Sequence, residues 1–248
     1  MEAYSLTGKR ILITGASSGI GRACAISAAS LGATVVLTGR RQVALNETLA
    51  NCIGVGHKAI SGNISSPEFV KTLVEQAGRL DGFVHAAGVG PMCPIGMLTA
   101  EHVNEVMLTN YYSFLELMKY YSKNKYRNAN LSVVAISSVS ASSGWGGGVV
   151  YCGSKGALSS SVRALAMELA PKGVRVNAVC PSNIRTPLYE AGASDMNDET
   201  ALKELLKKQP LGLGEPEQVA WPVCFLLSDA ASFITGVNLP VDGGYLAQ

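Results

Sequence analysis

Short, β-branched apolar runs alternate along the chain with longer stretches whose apolar residues recur every three or four positions. The runs at residues 10–14, 34–38, 58–61, 82–86, 132–136, 175–179 and 237–241 predict seven strands. The helical period predicts helices over 19–31, 43–51, 100–123, 151–170 and 216–227, and another that opens at Pro67 behind Ser66 as its N-cap. In the first helix Ile20, Cys24, Ala25, Ala28 and Leu31 form one apolar stripe. Residues 188–209 keep a helical period but are polar, which predicts an excursion outside the core, a lid. Strands such as VVLT and VVAI are apolar on both faces, so the sheet they form is covered on both sides and mostly parallel. The expected architecture is α/β: one doubly wound domain over residues 1–248, with a seven-stranded, mostly parallel sheet flanked by helices.

Composition adds a large core and excludes several partners. Of 248 residues 48% are hydrophobic and 15% charged, against roughly 25% charged in ordinary soluble domains. A disordered chain is excluded, and part of the apolar surface is expected to face other subunits. Net charge is +2 with no long like-charge run, which argues against nucleic acid. Residues 1–60 nevertheless carry Lys9, Arg10, Arg22, Arg40, Arg41 and Lys58 against Glu2 and Glu47, a balance suited to a phosphorylated ligand. Six scattered cysteines offer neither a C-x-x-C pair nor zinc spacing, so no metal is expected and reduced thiols in a cytoplasmic protein are. No apolar run reaches the roughly 18 residues that a membrane span needs.

The chemistry concentrates in three places. Thr14-Gly15-Ala16-Ser17-Ser18-Gly19-Ile20-Gly21 joins the first strand to the first helix, where glycines let the backbone approach a ligand and free N–H groups can cradle a pyrophosphate. The second strand exits into Arg40 and Arg41 with no carboxylate nearby; arginine there suits a ribose 2′-phosphate. Tyr151 and Lys155 stand four apart at the start of a helix, on one face, where an ammonium favours ionisation of the phenol. That spacing alone is unspecific, since Tyr121 and Lys125 share it, but only Tyr151 follows the serine-rich loop that holds Ser138.

These motifs resemble the short-chain dehydrogenase/reductase family over nearly the whole chain: the T-G-x-x-x-G-I-G loop, Ser138 thirteen residues before Tyr151, Lys155, Asn110 in the long helix, and D-G-G at residues 242–244. Leu108 stands where a serine would be needed for the Tyr121 pair. The resemblance implies a Rossmann-type fold and an NADP(H)-preferring enzyme, with NAD(H) as the alternative. It implies that Ser138 binds the substrate oxygen and Tyr151 transfers its proton. Lys155 would lower the phenol's pKa and hold the nicotinamide ribose, and Asn110 would hold a water linking Lys155 to solvent. Gly15, Ser17, Ser18, Gly19, Ile20, Gly21, Arg40, Arg41, Asn63, Ile64, Ala87, Gly88, Pro181, Ile184 and Thr186 would contact the cofactor. A homotetramer is implied as well.

The family's N-N-A-G is His85-Ala86-Ala87-Gly88 here, so a side-chain amide that ties neighbouring strands is missing. Asn63 replaces a common carboxylate, its amide oxygen still able to accept from adenine, and Pro181-Ser182 replaces P-G, so the loop is expected to run differently. His85 and His102 read as strand-end or surface histidines, Cys152 as an inert thiol, and Arg127 and Lys172 as either carrier-protein contacts or solvated charges. Three functions stay open: reduction of a ketone, possible for a 3-oxoacyl thioester on a carrier protein; an alcohol or sugar dehydrogenase with the same machinery; and a non-catalytic dinucleotide sensor. The walls of the substrate site are expected at residues 140–150, with Trp145, and at the lid.

Overall fold

Ile11 and Ile13 bury into one hydrophobic core and Leu12, between them, into another. A strand with both faces apolar needs helices on both sides, and the structure supplies them. It is a computed structural model that describes residues 2–193 and 199–247. In chain order the main elements are β1 (Arg10–Thr14), α1 (Gly19–Ser30), β2 (Thr34–Gly39), α2 (Gln42–Ala50), β3 (Lys58–Ser61), α3 (Pro67–Ala77) and β4 (Leu80–His85). There follow α4 (Ala100–Met107), α5 (Ser113–Tyr121), β5 (Arg127–Ile136), α6 (Val149–Leu169), β6 (Val174–Pro181), α7 (Pro187–Ala193), α8 (Glu199–Lys208), α9 (Pro216–Leu227) and β7 (Asn238–Val241).

The seven strands run in the order β3-β2-β1-β4-β5-β6-β7, and every pairing is parallel, where the pattern alone predicted mostly parallel. Helices α1 and α9 cover one face, α3, α5 and α6 the other. Alanines 23, 25, 28 and 29 make α1 thin enough to sit close to the sheet and to α9. The strand order reverses direction between β1 and β4, and a crevice opens at the carboxyl ends there, where such sheets bind ligands.

Three boundaries differ from expectation for physical reasons. The helix expected over 100–123 widens to a π-turn at Leu108–Tyr112, between α4 and α5. Strand β5 starts at Arg127 because that residue pairs with Leu80 before a register shift that brings Ser132 opposite Gly82. The lid expected over 188–209 contains α7 and α8, while its residues 194–198 lie outside the described residues. Ser66 caps α3, its hydroxyl accepting from the Phe69 N–H at 3.2 Å. Among the described residues no helix is long and apolar enough to cross a membrane, and no acidic, histidine or cysteine cluster could hold a metal ion.

Candidate active site

At the end of β1 the chain turns on Gly15 and Gly19, both with positive φ, 65° and 53°. A β-carbon on Gly21 would lie 2.3 Å from the Gly15 carbonyl oxygen, so the loop closes onto the helix only because that position is glycine. Ser18, at the N-cap position of α1, makes no side-chain cap bond. The first N–H groups of α1 therefore remain for an anion, which is the arrangement that a pyrophosphate requires.

At the end of β2, the side chains of Arg40 and Arg41 are exposed and have no hydrogen-bond or ion-pair partner among the described residues. The nearest acid in sequence, Glu47, faces Arg22 at 3.7 Å instead. Next to them, Asn63 spends one lone pair of its amide oxygen on the Ser65 N–H at 3.0 Å and keeps the other. The tie expected to be missing at the H-A-A-G turn comes from β1. Thr14 Oγ1 accepts from the Ala86 N–H at 3.1 Å and the Ala87 N–H at 3.0 Å.

Ser138 follows β5, its Oγ accepting from the Ser140 N–H at 3.0 Å. Tyr151 lies in the first turn of α6 and Lys155 one turn further in. Lys155 Nζ donates to the Ile136 carbonyl at 2.8 Å and sits 5.7 Å from the centre of the Tyr151 ring. Burial pushes the Tyr151 phenol above its ordinary pKa, while a hydrogen bond from Ser138 pulls it down. Burial also lowers Lys155, to about 8. In this geometry the Ser138 hydrogen bond favours the phenolate against the burial.

Asn110 is fully buried in the π-turn, behind Lys155. Its amide donates to the Val89 carbonyl at 2.9 Å and to Ser154 Oγ at 3.0 Å, and its Oδ1 accepts from the Val89 N–H at 2.8 Å. Both amide hydrogens are spent, so a water held by Asn110 must be bound through its carbonyl oxygens. Gly88 leaves room beside it: a β-carbon there would lie 3.5 Å from Asn110 Oδ1 and 3.6 Å from Lys155 Nζ.

The loop after β6 does follow its own path. Ser182 Oγ lies 2.9 Å from both Gln209 Oε1 and the Asp242 carbonyl. Gln209 is buried and also donates to the carbonyls of Asn183 and Gly212. One glutamine at the base of the lid thereby fastens the loop that holds Ile184 and Thr186. Thr186 Oγ1 donates to the Ile184 carbonyl at 3.2 Å and accepts from the Tyr189 N–H.

All these elements converge on one cavity of about 730 Å³. It is lined by every residue expected at the catalytic and cofactor positions except Asn110, which supports it from behind. Trp145 closes one wall, its ring 6.3 Å from that of Tyr151. Leu188 and Tyr189 line the cavity from the start of the lid; Met92 and Tyr245 also line it, and only their proximity to Gly90 and Gly244 in sequence hints at it.

Three polar residues are more deeply buried than their types suggest. His85 ends β4, as expected of a strand-end histidine, but is fully buried, and burial together with the Lys155 charge lowers it to about 3. Tyr121 is likewise in the core, its phenol raised by burial. Arg127 is buried, donating to Asn124 and to the carbonyls of Asn128 and Ala129, so it is no surface contact for a carrier protein.

The family model described as enoyl-(acyl carrier protein) reductase matches residues 15–246. L-xylulose reductase from Bos taurus is 34% identical over 98% of both chains. A short-chain type dehydrogenase/reductase from Mycobacterium marinum superposes with a TM-score of 0.90 at 30% identity, over 100% of this chain and 99% of that one. A candidate NAD(P)-dependent gluconate 5-dehydrogenase from Beutenbergia cavernae, solved with NADP bound at low occupancy, superposes with a TM-score of 0.89 at 31% identity, over 99% of this chain and 100% of that one.

Proposed function

The chain belongs to the short-chain dehydrogenase/reductase family, and from that premise we propose that it is an NADP(H)-dependent oxidoreductase that reduces a small ketone to a secondary alcohol. The observation that carries the cofactor reading is the pair of uncommitted cations, Arg40 and Arg41, in the same cavity as Ser138, Tyr151 and Lys155. The Gly15–Gly21 loop, with its free helix N-terminus, fits the pyrophosphate, and Gly88 leaves space for the ribose beside Lys155. The bound nicotinamide would supply the hydride in reduction and accept it in oxidation.

The chain's own residues manage the oxygen and its proton. Ser138 Oγ, already oriented by the Ser140 N–H, donates to the substrate oxygen and polarises the carbonyl. Tyr151 gives that oxygen a proton as it becomes an alcohol. Lys155, held by the Ile136 carbonyl, anchors the ribose hydroxyls and passes a proton to the phenolate. Asn110 holds a water that refills Lys155 from solvent.

Two observations favour a small ketose or simple ketone over a carrier-linked 3-oxoacyl thioester. L-xylulose reductases are among the similar proteins, and Arg127, one of two cations considered for carrier contact, is buried. NADPH oxidation measured with L-xylulose, diacetyl and a 3-oxoacyl thioester tests this. Turnover of the thioester alone would overturn the substrate reading. No turnover of any, with cofactor affinity unchanged by Tyr151→Phe, would favour a dinucleotide sensor. The homotetramer belongs to the same proposal and is supported by exposed apolar side chains at Tyr112, Met167 and Phe233; light scattering checks it.

A further inference from the structure

Among the described residues the cavity is lined by three cations, Arg40, Arg41 and Lys155, and none of them is free to meet a substrate. The two arginines follow β2, which is three strands from β5 and Ser138 in the sheet order, about 14 Å at roughly 4.8 Å per strand. Lys155 is buried, donates to the Ile136 carbonyl at 2.8 Å and is assigned above to the ribose. Along the lid, residues 188–202 include Glu190, Asp195, Asp198 and Glu199 and no lysine or arginine.

The phenol of Tyr151 is flanked instead by apolar surface. Trp145, its ring 6.3 Å from that of Tyr151, and Met92 both line the cavity and are 40% and 51% exposed, surface that a ligand would cover. Two glycines make room for them. A β-carbon on Gly148 would lie 2.4 Å from the Trp145 ring, and one on Gly147 would lie 2.7 Å from Met92 Cγ. The Cys93 N–H donates to the Gly147 carbonyl at 2.9 Å and joins the two segments. The indole N–H donates to Ser140 Oγ at 3.3 Å, so this wall offers a substrate ring carbons and no donor. Ser140 also gives its backbone N–H to Ser138 Oγ at 3.0 Å. One residue therefore orients both the group that polarises the carbonyl and the wall beside it.

We infer that Trp145 is a specificity-determining residue: it gives the site an apolar wall beyond the reach of any cation, so the enzyme takes uncharged ketones flanked by an apolar or aromatic group and rejects those that carry a carboxylate or phosphate. This rests on the ketone-reducing reading above and narrows it. A charged group on the substrate would give up its water against Trp145 and Met92 and find no partner there, and an unpaired charge in a desolvated site is a strong basis for rejection. The lid acids add repulsion.

Three ketones that differ one feature at a time test this, with NADPH oxidation as the assay. Acetoacetate and ethyl acetoacetate share the reacting ketone and differ in charge; wild type should prefer the ester at least about 100-fold in kcat/KM. Trp145→Lys puts a cation into the wall and should shrink that preference about ten-fold. Ethyl benzoylacetate replaces the methyl group on the ketone with a phenyl ring. Trp145→Ala should lower its kcat/KM relative to that of ethyl acetoacetate about ten-fold, and Trp145→Phe should restore most of that ratio. A general loss of activity in a damaged variant cancels from both ratios. Acetoacetate turned over as well as its ester, or either ratio left unmoved by its substitution, would overturn the inference. If wild type turns over none of the three, the ketone reading has failed on its own, and binding decides the role of the wall. The chain has two tryptophans and Trp221 does not line the cavity, so Trp221→Phe leaves Trp145 as the sole emitter. With NADP present, its fluorescence should respond to methyl mandelate at concentrations at least about ten-fold below those needed for mandelate. Equal responses, a stronger response to mandelate, or none to either would each overturn it.

Discussion

Lys155 is predicted to cost the protein stability, and its replacement by methionine should raise the melting temperature while abolishing activity. Burial lowers the ammonium from 10.5 to about 8, a penalty of about 3 kcal/mol at pH 7. Methionine has similar length and no charge. Against the gain stands the loss of the hydrogen bond to the Ile136 carbonyl, worth about 1 kcal/mol. The net gain of about 2 kcal/mol corresponds to a rise of about 4–8 °C for a domain of this size. The sign with pH follows from proton counting. Between the folded value, about 8, and the unfolded one, about 10.5, the unfolded chain holds a proton that the folded chain has released, so wild-type stability rises with pH there. Urea denaturation of both proteins from pH 7 to 10.5, at one protein concentration and without cofactor, measures it. The variant's advantage should be full at pH 7 and shrink as pH approaches 10.5. A variant less stable than wild type at pH 7, or a gap that does not change with pH, would refute the reasoning.

Other perturbations give equally definite outcomes. Arg40→Ala should weaken NADPH about ten-fold and leave NADH nearly unchanged, as read by fluorescence titration; an unaltered preference would remove the arginine argument. Gly21→Ala, with its methyl 2.3 Å from the Gly15 carbonyl, should prevent cofactor binding and lower the melting temperature, whereas Gly88→Ala fits at 3.5 Å from Asn110 Oδ1 and should keep the fold while reducing kcat. His85 is held near 3 against about 6.5 when unfolded. Below pH 6.5 the unfolded chain takes up a proton that the folded chain refuses, so stability falls with pH down to about 3, by up to about 5 kcal/mol. Equilibrium denaturation between pH 4 and 7 should show that slope in wild type and not in His85→Gln. Tyr151→Phe should lose nearly all ketone reduction without losing NADPH affinity; a variant that kept most of its activity would sink the proposed mechanism.

Much of the cavity was legible in the chain because its chemistry imposes local patterns. A backbone that must approach a phosphate needs Gly15, Gly19 and Gly21 between a strand and a helix, and those are neighbours in sequence. Tyr151 and Lys155 share a helical face by spacing alone. Burial is harder to read, since it depends on what arrives from elsewhere. Arg127 and Tyr121 carry polar atoms that suggest a surface, yet Arg127 folds onto Asn124 and the carbonyls of Asn128 and Ala129, and Phe83 packs on Tyr121. His85 became a core residue because Phe114, 29 positions later, covers it. The π-turn at 108–112 left no trace because a helix that takes in one extra residue keeps nearly the same apolar stripe. Gln209 and Ser182 meet across 27 positions, a distance over which no local pattern operates.

That last contact bears on how the sequence can drift. Ser182 and Gln209 form a matched pair, each a poor choice without the other. Mutating Ser182 to glycine would strip a donor from a buried amide, and replacing Gln209 alone would take the side-chain donor from the Gly212 carbonyl and leave the Asn183 carbonyl with the Gly214 N–H alone. The two sites are therefore epistatic. Lineages should exchange both together or neither, and a graft of another family member's lid onto this chain would succeed only if position 182 travelled with it.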